Sequence, residues 1–243
     1  MTVCVVVPTY NEVLNICDLA KLILKDCPLP GLEICVVDDA SPDGTADAVE
    51  AMEDPRVRVI RRSHDRGYGR SCNAGISYAL LSRAEFVVLM DADFTHQPIT
   101  INKMLEAAKE ADLVIGSRYL GEKPGMQDWP GTRKIISKVA RAYIRTVTGV
   151  PVLDPTGGFR CWRADFLGRM PLDTLQSKGY AYLYETLFRA WRLGARVKEV
   201  EALYVGRMRG ESKISASVVR EALWIPLRLR LLSLLEPSSV RRR

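Results

Sequence analysis

The chain has 243 residues, 47% apolar and 26% charged, which is ordinary for a folded globular protein and excludes a disordered, collagenous or coiled-coil chain. Lys and Arg number 35 against 29 Asp and Glu, and the resulting +6 is local, because residues 206–243 alone hold nine basic and three acidic side chains. A neutral body with a basic tail points to an anionic surface such as lipid headgroups; nucleic acid is the other reading of such a tail, and no recognition motif supports it.

The opening MTVCVVVPTYNE lacks the basic leader and small-residue cleavage site of a secretory signal, and reads as a first strand. Apolar runs at Val3–Val7, Ile34–Val37, Val57–Ile60, Phe86–Met90 and Leu113–Ile115 alternate with helix-like segments near 12–26, 44–53, 70–84 and 98–110. That alternation predicts a parallel sheet with helices on both faces, and near-continuous Val and Ile predict strands buried on both sides. The second half is less regular. A Gly/Pro-rich loop from Gly121 to Gly131 leads to helices near 132–148 and 181–193, a strand near 196–204 and a helical stretch from about 215. No apolar run reaches the roughly 18 residues that a membrane-spanning helix needs. The six cysteines form no CxxC pair, so zinc is not expected, and a reducing cytoplasmic setting is.

In parallel sheets ligands bind beyond the C-terminal strand ends. Four consecutive ends here are polar and are expected to point at one crevice: Pro8-Thr9-Tyr10-Asn11-Glu12, Asp38-Asp39 running into SPDGT, Asp91-Ala92-Asp93, and Gly116-Ser117-Arg118. GxGxxG, GxxxxGK[ST] and GxSxG are all absent, which argues against a dinucleotide enzyme, a P-loop NTPase and a Ser-His hydrolase. Asp91 and Asp93, at i and i+2 where a buried strand opens, suit a hard divalent cation such as Mg²⁺ or Mn²⁺ completed by phosphates and water. A lone DxD is read equally well as a turn or a cap. Asp39 is placed to reach a ribose hydroxyl and Tyr10 to face a base, while Asp43 is the better cap for the following helix.

Eight segments occur in order: PTYNE, VVDDASPDGT, RGYG, VLMDADFTHQP, GSRY, WPGTRKIIS, DPTGGFRCWR and RMRGESK. Together they resemble the GT-A glycosyltransferases of family 2, and within them the dolichyl- or polyprenyl-phosphate mannose synthases, over roughly residues 3–214. The resemblance implies an α/β, Rossmann-like GT-A fold with a mainly parallel central sheet. It implies a catalytic domain over 1–214, with a nucleotide half to about 118 and an acceptor half from 119, followed by a basic apolar tail at 215–243. The implied reaction is inverting transfer of mannose from GDP-mannose to a polyprenyl monophosphate.

Carried over by that resemblance, Pro8, Tyr10, Glu12, Val37 and Asp39 hold the nucleoside and Ala92 touches the donor through its backbone. Asp91 and Asp93 hold the metal, with Thr95 standing where some members carry a glutamine ligand. Arg118, Arg133 and Ser137 match acceptor-phosphate positions, and Arg207 and Lys213 match a loop over the donor diphosphate. Asp93, Arg118 and Arg133 are the expected catalytic residues. Gly206 departs from the acidic or amide residue more usual before that arginine.

The chemistry suits these residues. Negative charge grows on the leaving β-phosphate, where a divalent cation and fixed cations stabilise it. The acceptor phosphate is already ionised at neutral pH, so it needs positioning rather than a general base. Arginine forks fit a terminal phosphate. On a helical wheel Leu223, Trp224, Leu227, Leu231 and Leu234 form one stripe, with Arg228 and Arg230 on either side. That stripe predicts peripheral contact with the cytoplasmic face of a membrane or with an integral-membrane partner subunit; packing on the body of the domain is the alternative. Two rival functions remain at this stage: a polyprenyl-phosphate glucosyltransferase using UDP-glucose, and a silent nucleotide-sugar-binding subunit. The intact Asp91-Ala92-Asp93 argues against the second.

Overall fold

A computed structural model of the chain describes residues 1–121, 125–127, 130–206 and 216–235, without the side chains of 133, 216–219 and 235. The first half alternates β1 (Thr2–Thr9), α1 (Ile16–Asp26), β2 (Gly31–Asp38), α2 (Thr45–Glu50), β3 (Val57–Arg61), α3 (Tyr68–Leu81), β4 (Phe86–Leu89), α4 (Thr100–Ala108) and β5 (Leu113–Ser117). The second half follows with α5 (Gly131–Thr148), β6 (Arg160–Arg163), α6 (Ala164–Leu167), a 3-10 turn (Leu172–Thr174), α7 (Ala181–Arg192), β7 (Val197–Glu201) and α8 (Ala216–Leu235).

One seven-stranded sheet runs β3-β2-β1-β4-β6-β5-β7. All pairings are parallel except those of β6, which lies antiparallel between β4 and β5. Side chains alternate across each strand. On β1, Val3, Val5 and Val7 meet Ile16, Leu19 and Ile23 of α1 and Met104 of α4 in one apolar layer. Cys4 and Val6 point the other way, to Cys72 and Ile76 of α3 and Leu183 and Leu187 of α7. Both faces are therefore covered, which is why β1 and β2 read as unbroken apolar runs. Each such Val or Ile contributes about 1.5–3 kcal/mol by leaving water. In α1 the buried residues Ile16, Leu19, Ala20 and Ile23 follow the i, i+3, i+4, i+7 spacing of a single helical face. Helix α3 lies close on the sheet because Gly75 has no side chain: a Cβ there would sit 2.2 Å from Val6 Cγ1.

The strand order reverses between β1 and β4, and β2, β1 and β4 are neighbours. Their C-terminal ends thus form one crevice at a topological switch point. The expectation of four polar strand ends at one mouth needs correcting. Strand β6, which the sequence pattern does not reveal, separates β5 from β4. With strands about 4.8 Å apart, the end of β5 is set roughly 10 Å from that of β4.

Candidate active site

Each of the three converging strands turns out of the sheet through a left-handed residue: Asn11 (φ 57°) after β1, Ala40 (φ 57°) after β2 and Phe94 (φ 59°) after β4. Outside glycine this conformation costs about 1 kcal/mol or more and persists where the surroundings over-determine it. Here they do. The amides of Asn11, Glu12 and Val13 donate to Ser41 Oγ at 2.9 Å, Thr45 Oγ1 at 3.0 Å and Asp43 Oδ2 at 3.1 Å, tying the first loop to the second. Asp43 also accepts from the Thr45 amide at 3.0 Å and hydroxyl at 2.5 Å, at the start of α2. Partial burial pushes its carboxyl up, but the Thr45 and Val13 donors outweigh that and hold it below its ordinary value. Asp38 is buried and accepts from the Ser41 amide, the Ser41 hydroxyl and Thr9 Oγ1, so it builds the turn.

Asp39 lines the cavity that opens at this mouth, together with Pro8, Tyr10, Glu12, Asp91, Ala92 and Asp93, within a volume of about 870 Å³. Its carboxylate is oriented by Arg62 Nη1 at 2.6 Å and the Gly67 amide at 2.7 Å. Arg62 also donates to Ser71 Oγ and to the carbonyls of His64 and Asp65, so one guanidinium shapes the whole 62–67 loop. Beside it the Arg66 guanidinium lies 5.6 Å from the centre of the Tyr10 ring.

Asp91 follows β4 after the single residue Met90. Its amide donates to His96 Nδ1 at 3.0 Å, which leaves the proton on Nε2, 3.7 Å from Asp91 Oδ2. His96 is stacked on Phe159 with centroids 4.8 Å apart, and burial lowers its pKa, so the neutral ring props Asp91. Tyr68 Oη donates to Asp91 Oδ1 from the other side at 3.4 Å. Burial, reinforced by Asp91, raises the Tyr68 pKa and keeps that proton in place. Asp93 Oδ1 accepts from the Thr95 amide at 3.1 Å and from the Thr95 hydroxyl.

The far wall of the cavity comes from segments that sequence reasoning missed. Tyr68 packs against Tyr180 with ring centroids 5.1 Å apart and planes tilted by 32°. Gly67 (φ 147°) and Gly69 lie against the strip 177–180: a Cβ on Gly67 would sit 2.8 Å from the Lys178 carbonyl oxygen, and one on Gly69 2.8 Å from that of Ser177. The two glycines of RGYG were the only signal of this contact, and only the second loop explains them. That strip is held by two buttressing carboxylates. Glu185 accepts the amides of Gln176 and Ser177, and Glu221 of α8 accepts those of Lys178 at 3.0 Å and Gly179 at 3.4 Å. Glu221 thereby brings Arg220, Trp224, Ile225 and Arg228 of α8 to the cavity.

Four expected site residues are placed elsewhere. Val37 is fully buried with its side chain towards α3, so only its backbone is near the mouth. Thr95 directs its hydroxyl to the Asp93 carboxylate and orients it. Arg118, displaced by β6, does not line the cavity. Its fork closes on Asp154, with Nε 2.7 Å from Oδ2 and Nη2 2.5 Å from Oδ1, and Nη2 also reaches Thr156 Oγ1 at 2.6 Å. Ser137 is on α5, where its Oγ and Tyr119 Oη are 2.8 Å apart. Arg207, Lys213 and the side chain of Arg133 lie outside the described residues.

The donor set fits a hard divalent cation. Asp91 and Asp93 bring carboxylate oxygens to one cavity, and Asp91 keeps 31% side-chain exposure. Among the described residues no group of three or more His, Cys, Asp or Glu side chains converges, so the rest of a coordination shell would come from phosphate and water.

A sheet with one antiparallel strand inserted beside the switch point, and an aspartate pair at the end of β4, define a glycosyltransferase of the GT-A type. The same architecture is seen in crystal structures of glucosyl-3-phosphoglycerate synthase from Mycobacterium tuberculosis. The complex with Mn²⁺, UDP and glucosyl-3-phosphoglycerate superposes with a TM-score of 0.67 at 20% identity, over 96% of this chain and 79% of that one. The complex with Mg²⁺ and UDP gives 0.67 at 20% identity, over 96% and 78%. The chain belongs to glycosyl transferase family 2, whose model matches residues 4–170. It is 43% identical to an undecaprenyl-phosphate mannosyltransferase of Micrococcus luteus, over 92% of this chain and 91% of the relative. It is 38% identical to a polyprenol monophosphomannose synthase of Mycolicibacterium smegmatis, over 90% and 83%.

Proposed function

We propose that this protein is an inverting polyprenyl-phosphate mannosyltransferase that uses GDP-mannose and yields polyprenyl-phosphate mannose. The observation that carries this reading is the near end-to-end likeness, 43% identical over 92% of the chain, to an undecaprenyl-phosphate mannosyltransferase. The cavity suits it, since one opening carries an aromatic ring, a ribose-height carboxylate, an aspartate pair and cations.

In this reading Tyr10 and Pro8 flank the base, Asp39 receives a ribose hydroxyl, and Glu12 and Val37 shape the pocket. Asp91 and Asp93 hold Mg²⁺ or Mn²⁺ on the donor diphosphate, with Ala92 presenting its backbone between them. The metal supplies positive charge opposite the leaving β-phosphate. Thr95 and His96 keep the two carboxylates aimed. Arg207 and Lys213 add positive charge to the diphosphate. Arg133 and Ser137 receive the acceptor phosphate, and Arg118 acts through Asp154 and Thr156 to order the loop beside it. A phosphate oxygen attacks the anomeric carbon as the bond to the nucleoside diphosphate breaks, so no proton has to be removed.

A polyprenyl acceptor resides in a bilayer, and no described helix is long and apolar enough to cross one. Contact from the side is supported by α8. Leu223, Trp224, Leu227, Leu231 and Leu234 are all 44–58% exposed, whereas Ile225 and Leu229 pack inward. The helix runs unbroken through Pro226. The stripe read from the wheel is thus an outward face, and Ile225 and Leu229 attach the helix to the body. This surface supports peripheral binding at the cytoplasmic face of a membrane, directly or through a membrane subunit.

The test is a transfer assay with labelled GDP-mannose or UDP-glucose, a short-chain polyprenyl phosphate and Mg²⁺ or Mn²⁺, with a chelator control. The expected result is metal-dependent label in the organic phase from GDP-mannose. Label from UDP-glucose alone would move the protein to the glucosyl branch, and nucleotide binding without any transfer would favour a silent subunit.

A further inference from the structure

The two aspartates of the cavity are held by different means. Asp93 takes the amide and the hydroxyl of Thr95, two residues on. For Asp91 the same loop supplies His96, whose Nε2 lies 3.7 Å from Oδ2, while Oδ1 is reached from another element. That donor is the hydroxyl of Tyr68, the first residue of α3, at 3.4 Å. The Tyr68 ring is fixed on several sides. It packs on Tyr180 and meets Tyr182 edge-on with centroids 6.4 Å apart, and the Tyr182 hydroxyl is itself tied to Asn73 Oδ1 at 2.7 Å. Its two flanking glycines lie on the strip 177–180, where the Gly69 amide donates to the Lys178 carbonyl at 2.9 Å. Gly158, ahead of β6, closes the contact: a Cβ there would sit 3.4 Å from Tyr68 Oη and 3.6 Å from Asp91 Oδ1.

Two carboxylates two residues apart repel one another, and a donor on each holds the rotamer that turns it towards a shared cation. Thr95 does this for Asp93 from within the loop. Asp91 depends on a residue that the far wall keeps in place. We propose that Tyr68 is a positioning residue for the metal, its hydroxyl fixing the rotamer in which Asp91 and Asp93 face one cation together. The inference rests on the metal role proposed above for the two aspartates and adds a residue that acts through Asp91. Tyr68 also lines the cavity, so direct contact with the nucleotide sugar is the competing role.

The test uses the full chain with Mn²⁺ as the probe. Free Mn²⁺ is followed by electron paramagnetic resonance as it is titrated into the protein, with whichever of GDP or UDP tightens its binding to the parent. Tyr68→Phe removes the hydroxyl and keeps the ring on Tyr180. Tyr78→Phe is the control, since it takes a hydroxyl off the Glu33 carboxylate, also at 3.4 Å, on the same helix but away from the cavity. In Tyr68→Phe the Mn²⁺ Kd is expected to rise about tenfold, the size of effect typical for the partner of a metal ligand. In Tyr78→Phe it should stay within about twofold of the parent, a change too small to register as a lost partner. Nucleotide binding with chelator present should be unchanged in both, and sugar transfer by Tyr68→Phe should fall at low Mn²⁺ and recover at saturating Mn²⁺. Excess metal does not repair a merely structural defect. An unchanged Mn²⁺ Kd in Tyr68→Phe, or loss of its cooperative melting, would overturn the proposal. So would nucleotide-sugar binding that weakens equally with and without metal, which would make the hydroxyl a substrate contact. Mn²⁺ binding that depends on Tyr68 without any mannosyl transfer would leave the positioning role standing and sink the proposed reaction. A parent that binds no Mn²⁺ with either nucleotide would refute this role and the metal assignment together.

Discussion

Arg118 separates two roles that the sequence motif cannot. Were it an acceptor ligand, its removal would abolish transfer and leave the fold intact. The structure instead buries it against Asp154, a fully buried carboxylate that also takes the Arg118 amide at 3.0 Å and Thr156 Oγ1 at 3.3 Å. Arg118→Met keeps much of the side-chain volume but strands that carboxylate. Breaking a buried pair from one side costs about 3–5 kcal/mol, which for a chain of this size is roughly 6–20 °C in Tm. The loss has a pH signature. Burial pushes the Asp154 carboxyl up, but Arg118 outweighs it and holds the folded-state pKa below the ordinary value. The parent therefore has this stabilisation in full above the ordinary carboxylate range and loses it as pH falls through the folded pKa. In the variant only the main-chain amide at 118 and the Thr156 hydroxyl still oppose burial, so the Asp154 pKa rises from its parent value, and the penalty is present above the new pKa and relieved as pH falls through it. Parent and variant melting curves should lie furthest apart at neutral pH and converge on acidification. Asp154→Asn placed on Arg118→Met should recover part of the lost stability. The assay is thermal unfolding monitored by circular dichroism across pH, alongside sugar transfer. A Tm loss under about 3 °C with transfer abolished would refute this reasoning and return the guanidinium to the substrate.

The remaining predictions concern the strand ends and the sheet. Asp93→Ala should lower kcat about 10²–10³-fold or more while the protein still melts cooperatively, because in the function proposed above one of the two carboxylates that hold the metal on the diphosphate is gone; unchanged transfer would remove the metal assignment. Gly75→Ala should destabilise by about 1–3 kcal/mol in urea unfolding, since the new Cβ meets Val6 Cγ1 at 2.2 Å and Val37 Cγ2 at 3.0 Å. Ala40→Gly should raise stability by up to about 1 kcal/mol by relieving a left-handed alanine, a gain partly offset by glycine's freedom in the unfolded chain. A drop in the denaturation midpoint would show that Ala40 is not strained there.

Much of the fold is legible in the chain because its central strands are buried on both faces. Such strands must be apolar throughout, so Val3–Val7, Ile34–Val37 and Phe86–Met90 declare themselves without knowledge of their partners. The lining of the strand-end cavity is legible for a related reason: Asp39, Asp91 and Asp93 stand just after buried runs, where a carboxylate faces the strand-end crevice. Strand β6 is different. RCWR has arginine at both ends, and it becomes a strand only through pairing with β4 and β5; the bonds from Arg160 to the carbonyls of Gly157, Pro155 and Leu183 are what allow that arginine to be buried. Local pattern does not encode such partners, and the insertion of β6 is what moved Arg118 from the crevice to Asp154.

The outer wall divides in the same way. Helical period alone determined that α8 carries an apolar stripe, because that depends only on spacing along the chain. Which side faces outward, and that Arg220, Trp224 and Arg228 reach the cavity of Asp91 and Asp93, was decided by tertiary structure. The anchor is one carboxylate, Glu221, bonded to amides about forty residues away, alongside the packing of Ile225 and Leu229, and contacts at that separation are specified only once the chain has folded.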